Sequence, residues 1–265
     1  ATSGHAYGDN IHDYVLGVDK SGSVYYNTLH MENIKFSNVA FTGNININTS
    51  DVDSTFDGII FDDCTFTTGG TASSNGAAIR YYNESNNGQV KNITVKNCKF
   101  NNCNQGVYVH HVNGITITDN EFDTTGHNAI AMQGHDGAVD LKGVVIKNNI
   151  FKNIGDRIIR FNNVGADSQI TIQYNTATNS GDDAGEVIKA TSIATGVTTD
   201  ICFNNWNGGV VVNPELRDYK RMVTPSDLAT IAIKSNTEYY LNGNFANSNV
   251  SLVMAVGVEN VIFDG

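Results

Sequence analysis

Proline is nearly absent from this chain, with two in 265 residues, and only 16% of residues are charged. Glycine, asparagine, serine and threonine are abundant instead, a mixture that suits many short strands joined by tight turns. Disorder is excluded, because 40% of residues are hydrophobic and they recur at regular spacing. Cations are scarce too: 16 Lys and Arg against 27 Asp and Glu leave a net charge of −11. That balance excludes nucleic acid, whose binding depends on Lys and Arg neutralising phosphates. It also disfavours a bare polyanionic partner unless Ca²⁺ mediates the contact. No apolar run is long enough to span a bilayer, so membrane insertion is not expected, and no signal peptide is visible. The chain starts at Ala1, which is compatible with removal of an export signal.

The four cysteines, Cys64, Cys98, Cys103 and Cys202, form no CxxC pair and lack metal-ligand spacing. A calcium-binding nonapeptide, a P-loop, GxSxG, HExxH and a dinucleotide-binding glycine pattern in context are all missing. None of the short motifs that carry a reaction on their own is therefore available.

What the chain does contain is a repeat. The pattern runs apolar, any, apolar, two variable residues, Asn or a small residue, any, aromatic. Its clearest copy is Ile115, Ile117, Asn120, Phe122. The same offsets give Ile34, Phe36, Val39, Phe41; Ile59, Phe61, Cys64, Phe66; and Ile93, Val95, Cys98, Phe100. They continue through Val144, Ile146, Asn149, Phe151, and more weakly through Ile170, Ile172, Asn175, Ala177 and Thr199, Ile201, Asn204, Trp206. Successive anchors are 22 to 34 residues apart, a period that marks a solenoid. Within each copy the apolar spacing is two, so the units are strands. A second strand precedes most copies, in 106–111, 129–134 and 158–163. The absence of a Leu/Asn consensus excludes leucine-rich repeats, and the short period excludes a propeller. An inward Asn at a turn can build a ladder between coils, with Asn120, Asn149, Asn175 and Asn204 in that position. Cys64 and Cys98 occupy it in earlier coils, so they are expected to be buried, stacked neighbours. Trp206 is expected to be a core anchor.

This pattern resembles the right-handed parallel β-helix superfamily, which includes pectate lyases, polygalacturonases, phage tailspikes and bacterial adhesins. The resemblance covers about residues 24–213. It implies an all-β, pectate-lyase-like solenoid of roughly 8–10 coils, in a protein that is secreted or displayed at the cell surface. It does not imply one activity, since many reside on this fold. The expected organisation is one β-helix domain over 1–265: a lead-in at 1–23, regular coils at 24–213, a non-repeat excursion at 214–249 and a partial coil at 250–265. Thr224-Pro225-Ser226-Asp227 reads as a helix start within the excursion. Val261 and Phe263 match the first two positions of a new coil, which stops at Gly265. Completion of that coil by another chain or a further segment is expected.

Because coils stack in register, equal offsets from an anchor become columns. Gly126, Gly155 and Gly181 each lie four residues after one, and mark a turn with special backbone demands. His127, Asp156 and Asp182 follow them, and should form a row about 5 Å apart on adjacent coils. With Arg157, Arg160 and Asp183 nearby, that row has chemical meaning. Two carboxylates about 5 Å apart suit a retaining glycosidase. Asp182 and Asp183 with turn carbonyls suit Ca²⁺. The resemblance adds that an arginine can abstract a proton or stabilise charge in lyases of the superfamily. The catalytic candidates are thus Asp156, Asp182, His127 and Arg160. Solvated turn residues are the alternative reading.

A second column follows if Val109, Met132 and Phe161 are equivalent inward residues. Tyr108, Ala131 and Arg160 then point outward one position earlier, and His110, Gln133 and Asn162 one position later, with Arg80 extending the latter row. Ala131 should leave a shallow recess between Tyr108 and Arg160. Tyr108, His110, Gln133, Arg157, Asn162 and Arg80 are the substrate-binding candidates, since sugars take CH–π packing and planar hydrogen bonds. An ordinary polar sheet face is the alternative.

Signatures of particular enzymes do not follow. Gly181-Asp182-Asp183 matches one polygalacturonase-like element, but no NTD or GHG accompanies it, and the Gly-His pairs at 126–127 and 134–135 precede it. The vWiDH and RxPxxR signatures of pectate lyases are also missing. The expected function is a polysaccharide lyase or glycoside hydrolase acting on a glycan, with a non-catalytic glycan-binding adhesin or structural surface solenoid as the alternative.

Overall fold

The structure is a computed structural model that describes residues 30–49, 55–69, 77–83, 89–133, 140–180, 186–207, 210–212, 220–228, 233–245 and 254–264. Its strands lie in three sheets of 12, 6 and 7 strands, and every strand pairing among the described residues is parallel. The chain visits the sheets in turn. Val112–Thr118 lies in the first, Glu121–Thr125 in the second and Ile130–Gln133 in the third, before Lys142–Lys147 returns to the first. Repetition gives a parallel β-helix of about 7 turns, fewer than the roughly 8–10 coils expected from the repeat.

The offsets found in the sequence are the register of the stack. Phe36, Phe61, Val95, Ile117, Ile146, Ile172 and Ile201 pair in succession along the first sheet. Phe41, Phe66, Phe100, Phe122, Phe151 and Ala177 do so along the second. Facing inward on every coil, these residues are buried from Phe61 onward, each Val, Ile and Phe contributing about 1.5–3 kcal/mol. Phenylalanine rings 66, 100, 122 and 151 stack with centroids 4.4–5.1 Å apart. Ala177 interrupts that column, and Trp206, 3% exposed, reaches to 6.5 Å from the Phe151 ring.

A polar ladder runs beside the rings. Asn149 Oδ1 accepts from the backbone and amide nitrogens of Asn120, each at 3.0 Å. Asn175 and Asn204 repeat the arrangement upward. Each amide also donates to a carbonyl of the coil below, Asn149 to Ile117 at 2.9 Å. Below Asn120 the ladder passes to Cys98, whose backbone nitrogen donates to Asn120 Oδ1, and to Cys64, whose backbone nitrogen lies 3.4 Å from Cys98 Sγ. Both thiols are free, and both cysteines are buried. Burial, the largest influence, pushes the Cys98 thiol up to about 12. It stays protonated and is no nucleophile.

The residue before each ladder position turns the chain through the left-handed region. Asn38, Asp63, Asn97, Asp119 and Asn148 have φ between 54 and 57°, a conformation that Asn and Asp tolerate best among non-glycine residues. Tyr174 and Phe203 hold the next two positions at φ 57° and 59°.

Within 214–249, the described strands Lys220–Val223 and Thr237–Leu241 pair parallel to the first sheet, and Val261–Asp264 pairs in turn with Thr237–Leu241. Between the first two lies the four-residue helix Pro225–Leu228. Pro225 fits its first position, and Leu228 N bonds to Thr224 O at 3.1 Å.

Candidate functional site

The turn between the second and third sheets brings His127 and Asp156 together. Cys103 O receives Gly126 N, Asn104 O receives His127 N, and Thr125 O receives Gly155 N, all at 2.8–2.9 Å. Position 127 of one coil therefore lies beneath position 156 of the next. His127 Nε2 stands 3.5 Å from Asp156 Oδ2. Space is limiting at Gly155, where a Cβ would meet Thr125 O at 3.0 Å and Gly126 O at 3.2 Å, but not at Gly126, where it would meet only Asn104 Oδ1 at 3.5 Å.

Asp156 and Arg157 begin a chain of charge that runs upward. Arg157 Nη1 donates to Asp156 Oδ1 at 2.6 Å, and its Nε and Nη2 donate to Glu186 Oε2 at 3.2 and 3.0 Å. Lys189 Nζ donates to the same Glu186 oxygen at 2.8 Å. The Asn128 amide nitrogen donates to His127 Nδ1, which leaves the ring proton on Nε2 facing Asp156. Burial is the main cause that lowers the His127 pKa; Asp156 opposes it, while Arg160 and Arg157 add to it. The imidazole is therefore neutral at pH 7.

Asp182 and Asp183 lie outside the described residues, so the row is seen only as far as Asp156. Among the described residues, Glu186, which sequence reasoning missed, is the next carboxylate upward. Eight residues separate Phe122 from Ile130 and Phe151 from Ile159, but eleven separate Ala177 from Ile188, although each set is in register. Counting back from the strand rather than forward from the anchor places Glu186 level with Arg157, and was the signal that could have found it. Among the described residues no three His, Cys, Asp or Glu side chains converge to hold a metal ion.

On the third sheet, Val109, Met132 and Phe161 pair in register, as do Tyr108, Ala131, Arg160 and Lys189. Three expectations need correction. Arg80 pairs with Tyr108 rather than extending the row of His110, Gln133 and Asn162; its guanidinium lies 5.6 Å from the Tyr108 ring centroid. His110 does not open to solvent: it is 0% exposed. Its Nε2 is 2.7 Å from the Tyr108 hydroxyl and 3.0 Å from Gln133 Nε2, and the Gln133 amide donates to that hydroxyl. Finally, Ala131 is only 3% exposed, so the recess expected over it is closed. Asn162, half-buried, is level with Gln133.

The result is a strip with an aromatic and amide cluster on the lower coils and a neutral imidazole among arginines above. Four of the 16 lysines and arginines, Arg80, Arg157, Arg160 and Lys189, fall on it, opposing the net negative charge of the chain.

The family described as a right handed beta helix region matches residues 17–213. No curated protein and no solved structure matches the chain.

Proposed function

This chain belongs to the right-handed β-helix family, and from that premise we propose that it is a secreted or cell-surface protein that acts on a polysaccharide. The observation that carries the reading is the neutral His127 held beside Asp156, with Arg157 and Arg160 close enough to influence its protonation. Elimination is favoured over hydrolysis. A lyase needs one proton acceptor and a cation facing the charge that develops on the sugar. His127 supplies the first through Nδ1, whose lone pair takes the substrate proton in place of its bond from the Asn128 amide, and Arg160 the second. Retaining hydrolysis needs two carboxylates free to act on one bond, and Arg157 engages both Asp156 and Glu186. Tyr108, Gln133 and Arg80 hold neighbouring sugar residues, while Asp156 orients the imidazole. Ca²⁺ at Asp182 and Asp183 is the cofactor to test.

The test is a polysaccharide panel, with and without Ca²⁺, followed by absorbance of unsaturated products and by reducing ends. Turnover should yield unsaturated ends and fall by about 10²–10⁴-fold in His127→Ala and Arg160→Gln.

A second reading, a non-catalytic glycan-binding adhesin or surface solenoid, draws on the ion pairs that occupy Asp156 and Glu186 and on the Asn128 bond to His127 Nδ1. Binding without turnover on every polysaccharide would overturn the enzyme in its favour.

A further inference from the structure

The left-handed column described above changes character in its last two positions. Five successive coils use Asn or Asp there, and the next two use Tyr174 and Phe203. An aromatic residue with φ near 60° is a conformational outlier, and such outliers concentrate where function requires the side chain. Burial does not explain Tyr174, which is 47% exposed.

The two rings stack with centroids 5.1 Å apart and planes 3° from parallel. Tyr240, 41% exposed, stands at 90° to Phe203 with its centroid 5.8 Å away. Lys220 Nζ is 5.4 Å from the Phe203 centroid. The face of Tyr174 turned from Phe203 looks across the coil of Asn148, and no described ring stacks on it. Polar groups run alongside: Gln173 donates to Asp200 at 2.7 Å, and Lys220 to Glu238 at 3.0 Å. The three rings form a platform with a side wall, on the first sheet and its following turn, apart from the strip that carries His127.

We propose that Tyr174, Phe203 and Tyr240 form a glycan-binding subsite, in which a sugar ring packs on the aromatic ridge and its hydroxyls meet the flanking amide, carboxylates and ammonium. A second protein chain fits less well. With roughly 150–250 Å² per aromatic side chain, the exposed parts of Tyr174 and Tyr240 total about 130–220 Å², and the partly buried Phe203 adds less than either. A stable protein interface takes about 800 Å² from each partner. The rings lie within a polar and charged surround, as suits a sugar that offers C–H faces and hydroxyls together. The subsite shares only its class of partner with the function proposed above and does not require turnover at His127.

The experiment is affinity electrophoresis of the full chain in gels containing xylan, galactomannan, mixed-linkage β-glucan or polygalacturonate, with melting curves in parallel. Asparagine suits the left-handed backbone, so Tyr174→Asn with Phe203→Asn should keep or raise the melting temperature. Retardation by the polysaccharide that binds the wild type should weaken about tenfold or more, as for loss of a central aromatic contact. Tyr240→Ser, outside the left-handed column, gives the same readout should the double variant fail to fold. Retardation that persists in the variants overturns the subsite, whatever happens to melting. If it is lost instead in Arg80→Ala with Gln133→Ala, the third-sheet strip is the binding site. A wild type that no polysaccharide retards overturns the subsite, while turnover on the panel separately judges the His127 reading.

Discussion

At the scale of single residues, His127 is the most informative group, because its protonation is set by neighbours that can be removed one at a time. Burial lowers its pKa first; Asp156 raises it, and Arg160 and Arg157 lower it. In the unfolded chain the imidazole titrates near the ordinary value of about 6.5. The unfolded state therefore binds the proton more readily than the folded state. The resulting stability is present above that value and is lost as pH falls through it toward the folded pKa. Asp156→Asn removes the opposing charge, so the midpoint of His127 should fall further. Arg160→Gln should move it up. Imidazole chemical shifts followed against pH by NMR read both effects without a substrate. An upward shift in Asp156→Asn would mean that the two side chains do not share a field, and would remove the pairing on which the proposed chemistry rests.

At the scale of elements, the ladder of Asn120, Asn149, Asn175 and Asn204 is where packing and hydrogen bonding reinforce each other. Asn149 accepts from two nitrogens of Asn120 and donates to Ile117 O and Asn175 Oδ1. Asn149→Ala leaves several of those buried groups unmatched and should cost about 2–5 kcal/mol. Asn149→Cys should cost less, because Cys64 and Cys98 fill the same position lower in the stack. Denaturant unfolding of the two variants compares them, and equal losses would show that the position asks only for volume. This ladder and the phenylalanine column were legible in the sequence because their spacing within a coil is fixed by the strands themselves. The third sheet was less so. Segments of different length join Phe66 to Ile79 and Ala177 to Ile188, although both pairs keep register. Arg80 was therefore placed in the wrong row, and Glu186 was missed. The burial of His110 was hidden for another reason: strand alternation gives the direction of a side chain but not what the neighbouring Tyr108 and Gln133 fold over it.

At the scale of the whole molecule, each coil touches only the coils above and below, so stability is close to a sum of local terms and neighbour terms. The burial of equivalent residues shows the consequence. Ile34, Phe36, Val39 and Phe41 are only partly buried, whereas Ile59, Phe61, Cys64 and Phe66, one coil inward, are 0–1% exposed. At the other end, Val261 and Phe263 are again partly buried, beside the fully buried Tyr239. The segment at 214–249 looked irregular in sequence because its described strands, Lys220–Val223 and Thr237–Leu241, join the first sheet without the aromatic anchor of a full coil. A separate small cluster of Val223, Leu228, Ile233 and Tyr239 packs these strands instead. Opening should therefore begin at these partly buried coils and proceed toward the buried ones. Amide hydrogen exchange should be slowest in 93–95, 115–117 and 144–146, and faster toward 34–36 and 261–264. Asn149→Ala should carry fast exchange into the central coils next to it and leave 59–61 little changed. Uniform protection along the stack, falling uniformly in the variant, would instead show one cooperative unit, in which the coil ends and the small C-terminal cluster have no stability of their own.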